Sequence, residues 1–148
     1  MHSDLVVLAT NATLEWAAYL FFFGYVFTLI AAGAFGALLP RLDFRYLLGL
    51  DVSQLSPLIA ATTMSQYRFL RAIEIGFGVL AITFRNEIFH DQVFNRLFLV
   101  IMAGGIAGRI LGLVFDGIPS IAMLFFLTFE VVGITLIFAF TRETVRTR

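Results

Sequence analysis

Four long apolar stretches fill most of this chain of 148 residues, and they constrain its fold more than any other feature. Hydrophobic residues make up 60% of the sequence and charged residues only 14%. A helix needs about 20 apolar residues to cross the hydrocarbon core of a bilayer. The chain is therefore predicted to be all-α, an integral membrane four-helix bundle that forms a single domain over residues 1–148. The predicted spans cover residues 16–39, 67–84, 97–115 and 120–140.

The predicted spans are joined by connectors of different kinds. Between the first two, residues 40–66 contain apolar runs that are too short to cross a bilayer. We expect a short amphipathic segment there, lying at the interface across the mouth of the bundle. A lid over a cavity is the alternative. Between the last two spans, Asp116-Gly117-Ile118-Pro119 leaves room only for a tight antiparallel turn.

The distribution of arginines predicts the orientation of the chain. With four spans, the N-terminal leader, the connector of residues 85–96 and the C-terminal tail share one side. That side carries more arginine than the other, so the positive-inside rule predicts that both termini are cytoplasmic. The two sets are Arg85, Arg96, Arg142, Arg146 and Arg148 against Arg41, Arg45 and Arg68.

Composition excludes several kinds of chemistry. The chain has no cysteine, so disulfides and thiolate nucleophiles are ruled out. All ten basic residues are arginine, which leaves no lysine for a Schiff base. The two histidines, His2 and His90, fall outside the predicted spans, and no zinc-ligand spacing is present. We therefore expect no cofactor and no metal. Ten acidic residues balance the ten arginines, so nothing indicates a nucleic-acid partner.

Ionisable residues within the predicted spans are the sharpest candidate site. Arg71 and Glu74 lie three residues apart and share a helix face, while Arg109 and Glu130 lie in the last two spans. An unpaired charge at the bilayer centre costs on the order of 3 kcal/mol. We therefore predict one interior network of these four residues, with Asp116 at its outer edge. The network is either an electrostatic clasp that fixes helix register or a polar pocket for a ligand head group or a proton.

Glycines in the third predicted span suggest close helix contact. Gly104, Gly108 and Gly112 form two successive GxxxG steps, which clear one helix face for close backbone approach. We expect this strip to pack within the chain's own bundle. Homodimerisation through the strip is the alternative. The first span carries a weaker version of this pattern in Ala32-Gly36 and Gly33-Ala37, and Gly76 and Gly78 allow tight contact in the second.

Several of these features occur in an order that resembles a known family, the bacterial domain of unknown function 4345, over roughly residues 15–140. They are Tyr67-Arg68-Phe69-Leu70-Arg71, Gly76-Phe77-Gly78, Gly104-Gly105-x-x-Gly108-Arg109, Asp116-Gly117-Ile118-Pro119 and Glu130. Pro40 and Leu48-Gly49-Leu50 also match the family, whereas Glu74 stands where a small residue is expected. The resemblance implies a four-helix protein of the bacterial inner membrane. It implies no particular activity.

These observations favour a non-enzymatic accessory or assembly subunit of a larger membrane protein complex. Its expected partners are membrane lipids and other membrane protein subunits. An alternative is a binder or carrier of a lipophilic molecule whose polar end lies at the Arg/Glu network. A third hypothesis is an intramembrane enzyme that acts on a lipid or sterol with Glu74 or Glu130 as acid or base. A cavity that reaches the charges favours binding, and a filled interior with apolar grooves outside favours the subunit.

Overall fold

The computed structural model describes residues 2–144, with side chains described from residue 12 to residue 142. The described residues are helical almost throughout, which confirms the predicted all-α class. In chain order the helices are α1 (His2–Leu38), α2 (Pro40–Asp43), α3 (Pro57–Thr83), α4 (Arg85–His90), α5 (Gln92–Phe115) and α6 (Ile121–Thr144). A π-helical turn (Phe44–Leu48) and a 3-10 turn (Val52–Gln54) lie between α2 and α3.

Three of the described helices are long and apolar enough to cross a membrane. They are the segments Ala12–Leu38 of α1, Gln92–Phe115 of α5 and Ile121–Arg142 of α6. The helix α3 is long enough, since 27 residues extend ~40 Å, but it carries Arg68, Arg71 and Glu74. It begins at Pro57, well before the predicted start near residue 67, because proline fits the first turn of a helix.

The helix α1 is the centre of the arrangement. It packs against α3 on one side and α6 on another, while α5 packs against α6 and α4. The contact between α1 and α3 is close because two glycines lie in it. A β-carbon added to Gly33 would lie 3.0 Å from the backbone oxygen of Arg71, and one added to Gly78 would lie 2.6 Å from Ile30 Cγ1.

Aromatic side chains fill the core at the end of the molecule where α4 lies. Phe22 is fully buried and its ring meets Phe89 edge-on, at 5.1 Å between centroids. Phe98 of α5 lies 5.4 Å from Phe22 and stacks on Phe77 of α3 at 5.7 Å. These contacts join α1, α3, α4 and α5 at this end of the molecule.

The connector of residues 39–56 folds onto the start of α3 at the opposite end. Phe44, Val52 and Met64 form a small buried cluster there. The π-helical turn ends at Gly49, whose φ of 69° lies in the left-handed region that glycine tolerates. Ser120 Oγ donates to the Leu47 carbonyl oxygen at 3.0 Å, which ties the α5–α6 turn to the connector.

A polar cap holds the 3-10 turn of the connector in place. The hydroxyl and the backbone N–H of Ser53 both donate to Asp51 Oδ1, at 2.7 and 2.9 Å. These two bonds, helped by the positive charge of Arg45, hold the pKa of the Asp51 carboxyl below its usual value. The connector, predicted to lie at the interface, is thus made of short helical turns, of which the 3-10 turn has a side-chain cap.

Candidate functional site

Arg71 is the centre of the first charge cluster, which contains Asp43, Tyr67, Arg71 and Glu74. Arg71 Nη1 donates to Glu74 Oε2 at 2.6 Å, and Arg71 Nη2 donates to Asp43 Oδ2 at 2.8 Å. Tyr67 accepts a bond of 2.5 Å from Arg71 Nη2 and donates to Asp43 Oδ2 at 2.6 Å. The side chains of Arg71 and Asp43 are only 9% and 8% exposed, so this guanidinium is closely surrounded by its partners.

Glycine on α1 makes room for the buried guanidinium. A β-carbon at Gly36 would collide with Arg71 Nε and with the carboxylate of Asp43. Arg71 Nε is buried and has no hydrogen-bond partner among the described residues. The cluster is therefore compact, and it joins α1, α2 and α3 through a single arginine.

Arg109 and Glu130 form the second charge cluster, between α5 and α6. Arg109 Nε donates to Glu130 Oε2 at 2.8 Å and Nη2 donates to Oε1 at 3.1 Å, which is the forked geometry of a strong guanidinium–carboxylate pair. Arg109 Nη1 also donates to the Met123 sulfur at 3.4 Å. The Arg109 side chain is 32% exposed and that of Glu130 12%, so the arginine is the more accessible partner.

A cavity of about 310 Å³ opens beside this second pair. Arg109 and Asp116 lie in its wall together with Met123 and Leu127, and the α5–α6 turn closes one end. Asp116 follows the last turn of α5, and none of the ion pairs found among the described residues includes it. It shares the cavity with Arg109 but does not extend the charge pair.

The structure divides the predicted network into two clusters. No hydrogen bond or ion pair within the described part of the chain joins Arg71 or Glu74 to Arg109 or Glu130. The reason lies in the lateral arrangement of the helices. Because α5 packs mainly against α4 and α6, while α3 packs against α1, similar depth along the helices does not bring the four side chains together.

The predicted network did not include Asp43 or Tyr67, although both contact Arg71 in the structure. The available signal was the acid three residues after Pro40, because this proline begins a helical turn that brings Asp43 back to α3. The small residues Gly33 and Gly36 were a second signal, since they show which face of α1 is approached closely.

The glycine strip of α5 does not pack inside this fold. Added β-carbons at Gly104, Gly105 and Gly108 would meet nothing within 4 Å, and one at Gly112 would approach only Asp116 Oδ2, at 3.7 Å. Among the described residues, no helix lies in close contact with the face of α5 that carries the strip, so no packing of the strip within the bundle is seen there.

The chemistry open to these residues is limited by their pairing. Both carboxylate oxygens of Glu130 accept bonds from Arg109, so Glu130 could act as a base only after the pair opens. Glu74 is held by Arg71 in the same way through one oxygen. Among the described residues, no group of three or more histidine, cysteine, aspartate and glutamate side chains could hold a metal ion.

Comparison with known proteins gives one finding. No curated protein and no solved structure matches the chain. The family described as Domain of unknown function (DUF4345) matches residues 16–141, a range that includes both charge clusters, the connector and the glycine strip. Because the match covers most of the described helices, this membrane protein belongs to the DUF4345 family.

Proposed function

We propose that the protein is a non-enzymatic subunit of a larger membrane assembly, and that it binds a helix of a partner protein through the glycine strip of α5. The open space over Gly104, Gly105 and Gly108 carries this proposal. A glycine inside a helix is less favourable than alanine by about 1 kcal/mol. Within the described chain no close contact offsets that cost at these three positions, whereas contact with a second helix would offset it.

The position of Arg109 favours a different protein over a second copy as the partner. Arg109 follows Gly108 directly and lies at the rim of the strip, with 32% of its side chain exposed. In a symmetric pair that crosses at Gly108, each residue faces its own copy. Two arginines would then flank the same contact in a medium of low dielectric constant, which is unfavourable. A partner helix with small residues and a polar side chain avoids this repulsion.

We also propose the topology that this role requires. The helix α3 is the fourth span, with Arg71 neutralised by Asp43 and Glu74, so that α1, α3, α5 and α6 cross the membrane as a bundle. Both termini are then on one side, and the excess of arginine there favours the cytoplasm. The family resemblance favours the bacterial inner membrane as the location.

A crosslinking experiment in native membranes tests the assembly proposal. The chain has no cysteine, so a single Ala107→Cys substitution beside the strip gives one reactive position. We expect a crosslink to one partner protein at a stoichiometric yield, and its loss when Gly108→Leu is added. Gly76→Leu is the matched control, because Gly76 lies on α3 and its added β-carbon also meets nothing within 4 Å.

Two outcomes would overturn this proposal. A crosslink that joins only two copies of the chain would show self-association in place of a subunit role. A crosslink yield that Gly108→Leu leaves unchanged would show that the strip is not the contact.

The small cavity beside Arg109 favours a second candidate function, the binding of a lipophilic molecule whose polar end lies at the Arg109–Glu130 pair. Its volume of about 310 Å³ is at the lower end of ordinary ligand sites. Substitution of Gly112, which lines the cavity, by leucine would fill part of it. If a small molecule co-purifies with the wild type and is lost in Gly112→Leu, as judged by native mass spectrometry, this second function is supported.

A further inference from the structure

A separate, larger cavity lies between the connector and the first half of α3. Its volume is about 890 Å³ and it opens to the surface of the protein. Arg41 and Arg68 lie in its wall with two hydroxyl groups, those of Ser53 and Ser65. Neither the Arg71 cluster nor the Arg109–Glu130 pair contributes to this wall.

The two arginines of this cavity are available for a ligand. Both are exposed, and within the described part of the chain neither forms an ion pair with a carboxylate. Arg68 uses only Nε, which donates to the Ala37 carbonyl oxygen at 3.3 Å. The wall contains no acidic residue. Asp43, the acid nearest to Arg41 in sequence, is paired with Arg71. The side chains that line the cavity therefore carry a net positive charge.

The remainder of the wall is apolar, and its position suits the surface of a membrane. Leu38 and Leu39 line the cavity at the end of α1, a helix that is long and apolar enough to cross a membrane. Leu42 and Leu55 line it from the connector, and both are exposed. A ligand whose charged group lies between the arginines would thus have apolar surface beside it.

We propose that this cavity binds the phosphate group of a membrane phospholipid, with Arg41 and Arg68 as its ligands and the apolar wall against the start of the acyl chains. The planar guanidinium group matches two phosphate oxygens at once, and basic sites beside membrane helices bind lipid head groups. The volume exceeds what inorganic phosphate requires and lies in the range of ordinary ligand sites. This site does not depend on the proposed partner helix.

Native mass spectrometry of the purified full chain in detergent tests the proposal, with dioleoylphosphatidylglycerol as the probe. We expect one lipid to bind the wild type with higher affinity than dioleoylphosphatidylcholine. Each of Arg41→Gln and Arg68→Gln should weaken that binding about fivefold, and the double variant about 25-fold, because each basic residue near a membrane surface contributes a factor of that size.

Arg45→Gln is the matched control, since Arg45 is an exposed arginine of the same connector that does not line the cavity. Its affinity for the lipid should equal that of the wild type. If Arg45→Gln weakens lipid binding as much as Arg41→Gln or Arg68→Gln does, the proposal is overturned, because the lipid would then be attracted by the general surface charge of the protein.

The source of the phosphate is decided by competition. We expect millimolar inorganic phosphate and glycerol 3-phosphate to leave the bound lipid in place. Displacement of the lipid by either soluble compound at this concentration would overturn the lipid assignment and indicate a site for a soluble phosphate. Helix content by circular dichroism, expected to be unchanged in all variants, shows that altered binding does not result from unfolding.

Discussion

The two charge clusters differ in how completely each arginine is surrounded. Arg71 has three polar partners, a side chain that is 9% exposed and a glycine of α1 against its Nε. Arg109 has one carboxylate partner, is 32% exposed and borders a cavity and an open glycine strip. The same pairing of arginine with acid thus occurs in two environments. The first guanidinium is enclosed where α1, α2 and α3 meet, while the second cluster leaves a charged group accessible at the outside of the fold.

The largest expected effect is the loss of the Arg71 cluster. Arg71→Met leaves the buried carboxylate of Asp43 without its ion pair, and breaking a buried pair in this way costs about 3 to 5 kcal/mol. We expect a loss of that size in the free energy of unfolding, measured in mixed detergent micelles. Asp43→Asn added to Arg71→Met should recover part of it. A loss no larger than that of Arg109→Met would contradict the distinction between the clusters.

The next largest loss of stability is expected from a substitution of Gly36, the glycine of α1 that lies against Arg71. Gly36→Ala adds a methyl group that collides with Arg71 Nε and Asp43, so either the pair or α1 must move. Overpacking of this kind costs about 1 to 3 kcal/mol. Thermal unfolding in detergent measures it. Gly76→Ala, at an open position of α3, serves as the control and should not destabilise the protein.

A smaller effect is expected at the second cluster. Arg109→Met removes two charge-assisted hydrogen bonds to Glu130, but the exposure of the guanidinium reduces what they contribute. We expect a loss of about 1 to 2 kcal/mol in the free energy of unfolding. A double-mutant cycle with Glu130→Gln isolates the coupling between the two residues. Coupling above about 3 kcal/mol would make this pair as structural as the first cluster.

The smallest effect has the opposite sign. Gly104→Ala places a methyl group in open space, so in the isolated chain it should stabilise α5 by less than about 1 kcal/mol. The same substitution should weaken the crosslink to the partner protein. If Gly104→Ala destabilises the isolated chain, the strip is packed within the fold in solution, and the comparison of open and closed glycines fails.

Depth along the helices could be read from the sequence, but lateral position could not. The spacing of Arg71 and Glu74 predicts a shared face, and the structure contains that ion pair. The depths of Arg109 and Glu130 along adjacent, antiparallel helices bring those two side chains together. The separation of the two pairs depends on which helices are neighbours. Hydrophobic periodicity is weak in helices that are apolar on every side, so it does not identify those neighbours.

The glycines illustrate the same limit. The stronger pattern, Gly104, Gly108 and Gly112, was expected to be packed inside, yet it is open at all but the last position. The weaker pattern of α1 packs tightly, because Gly33 and Gly36 face α3 near the buried Arg71. A small-residue motif shows that close approach is possible, but it does not show whether the approaching helix belongs to the same chain.

The position of each arginine's partners along the chain affects how the protein enters a bilayer during synthesis. Asp43 precedes Arg71 by 28 residues, on α2, and Glu74 follows it by 3 residues, on α3. Both acids that neutralise Arg71 are therefore made before α5. Glu130 follows Arg109 by 21 residues, on the next helix. In the proposed four-span topology the chain can therefore be inserted as two successive helical hairpins, and neither has to expose an unpaired arginine to lipid while it waits for the other.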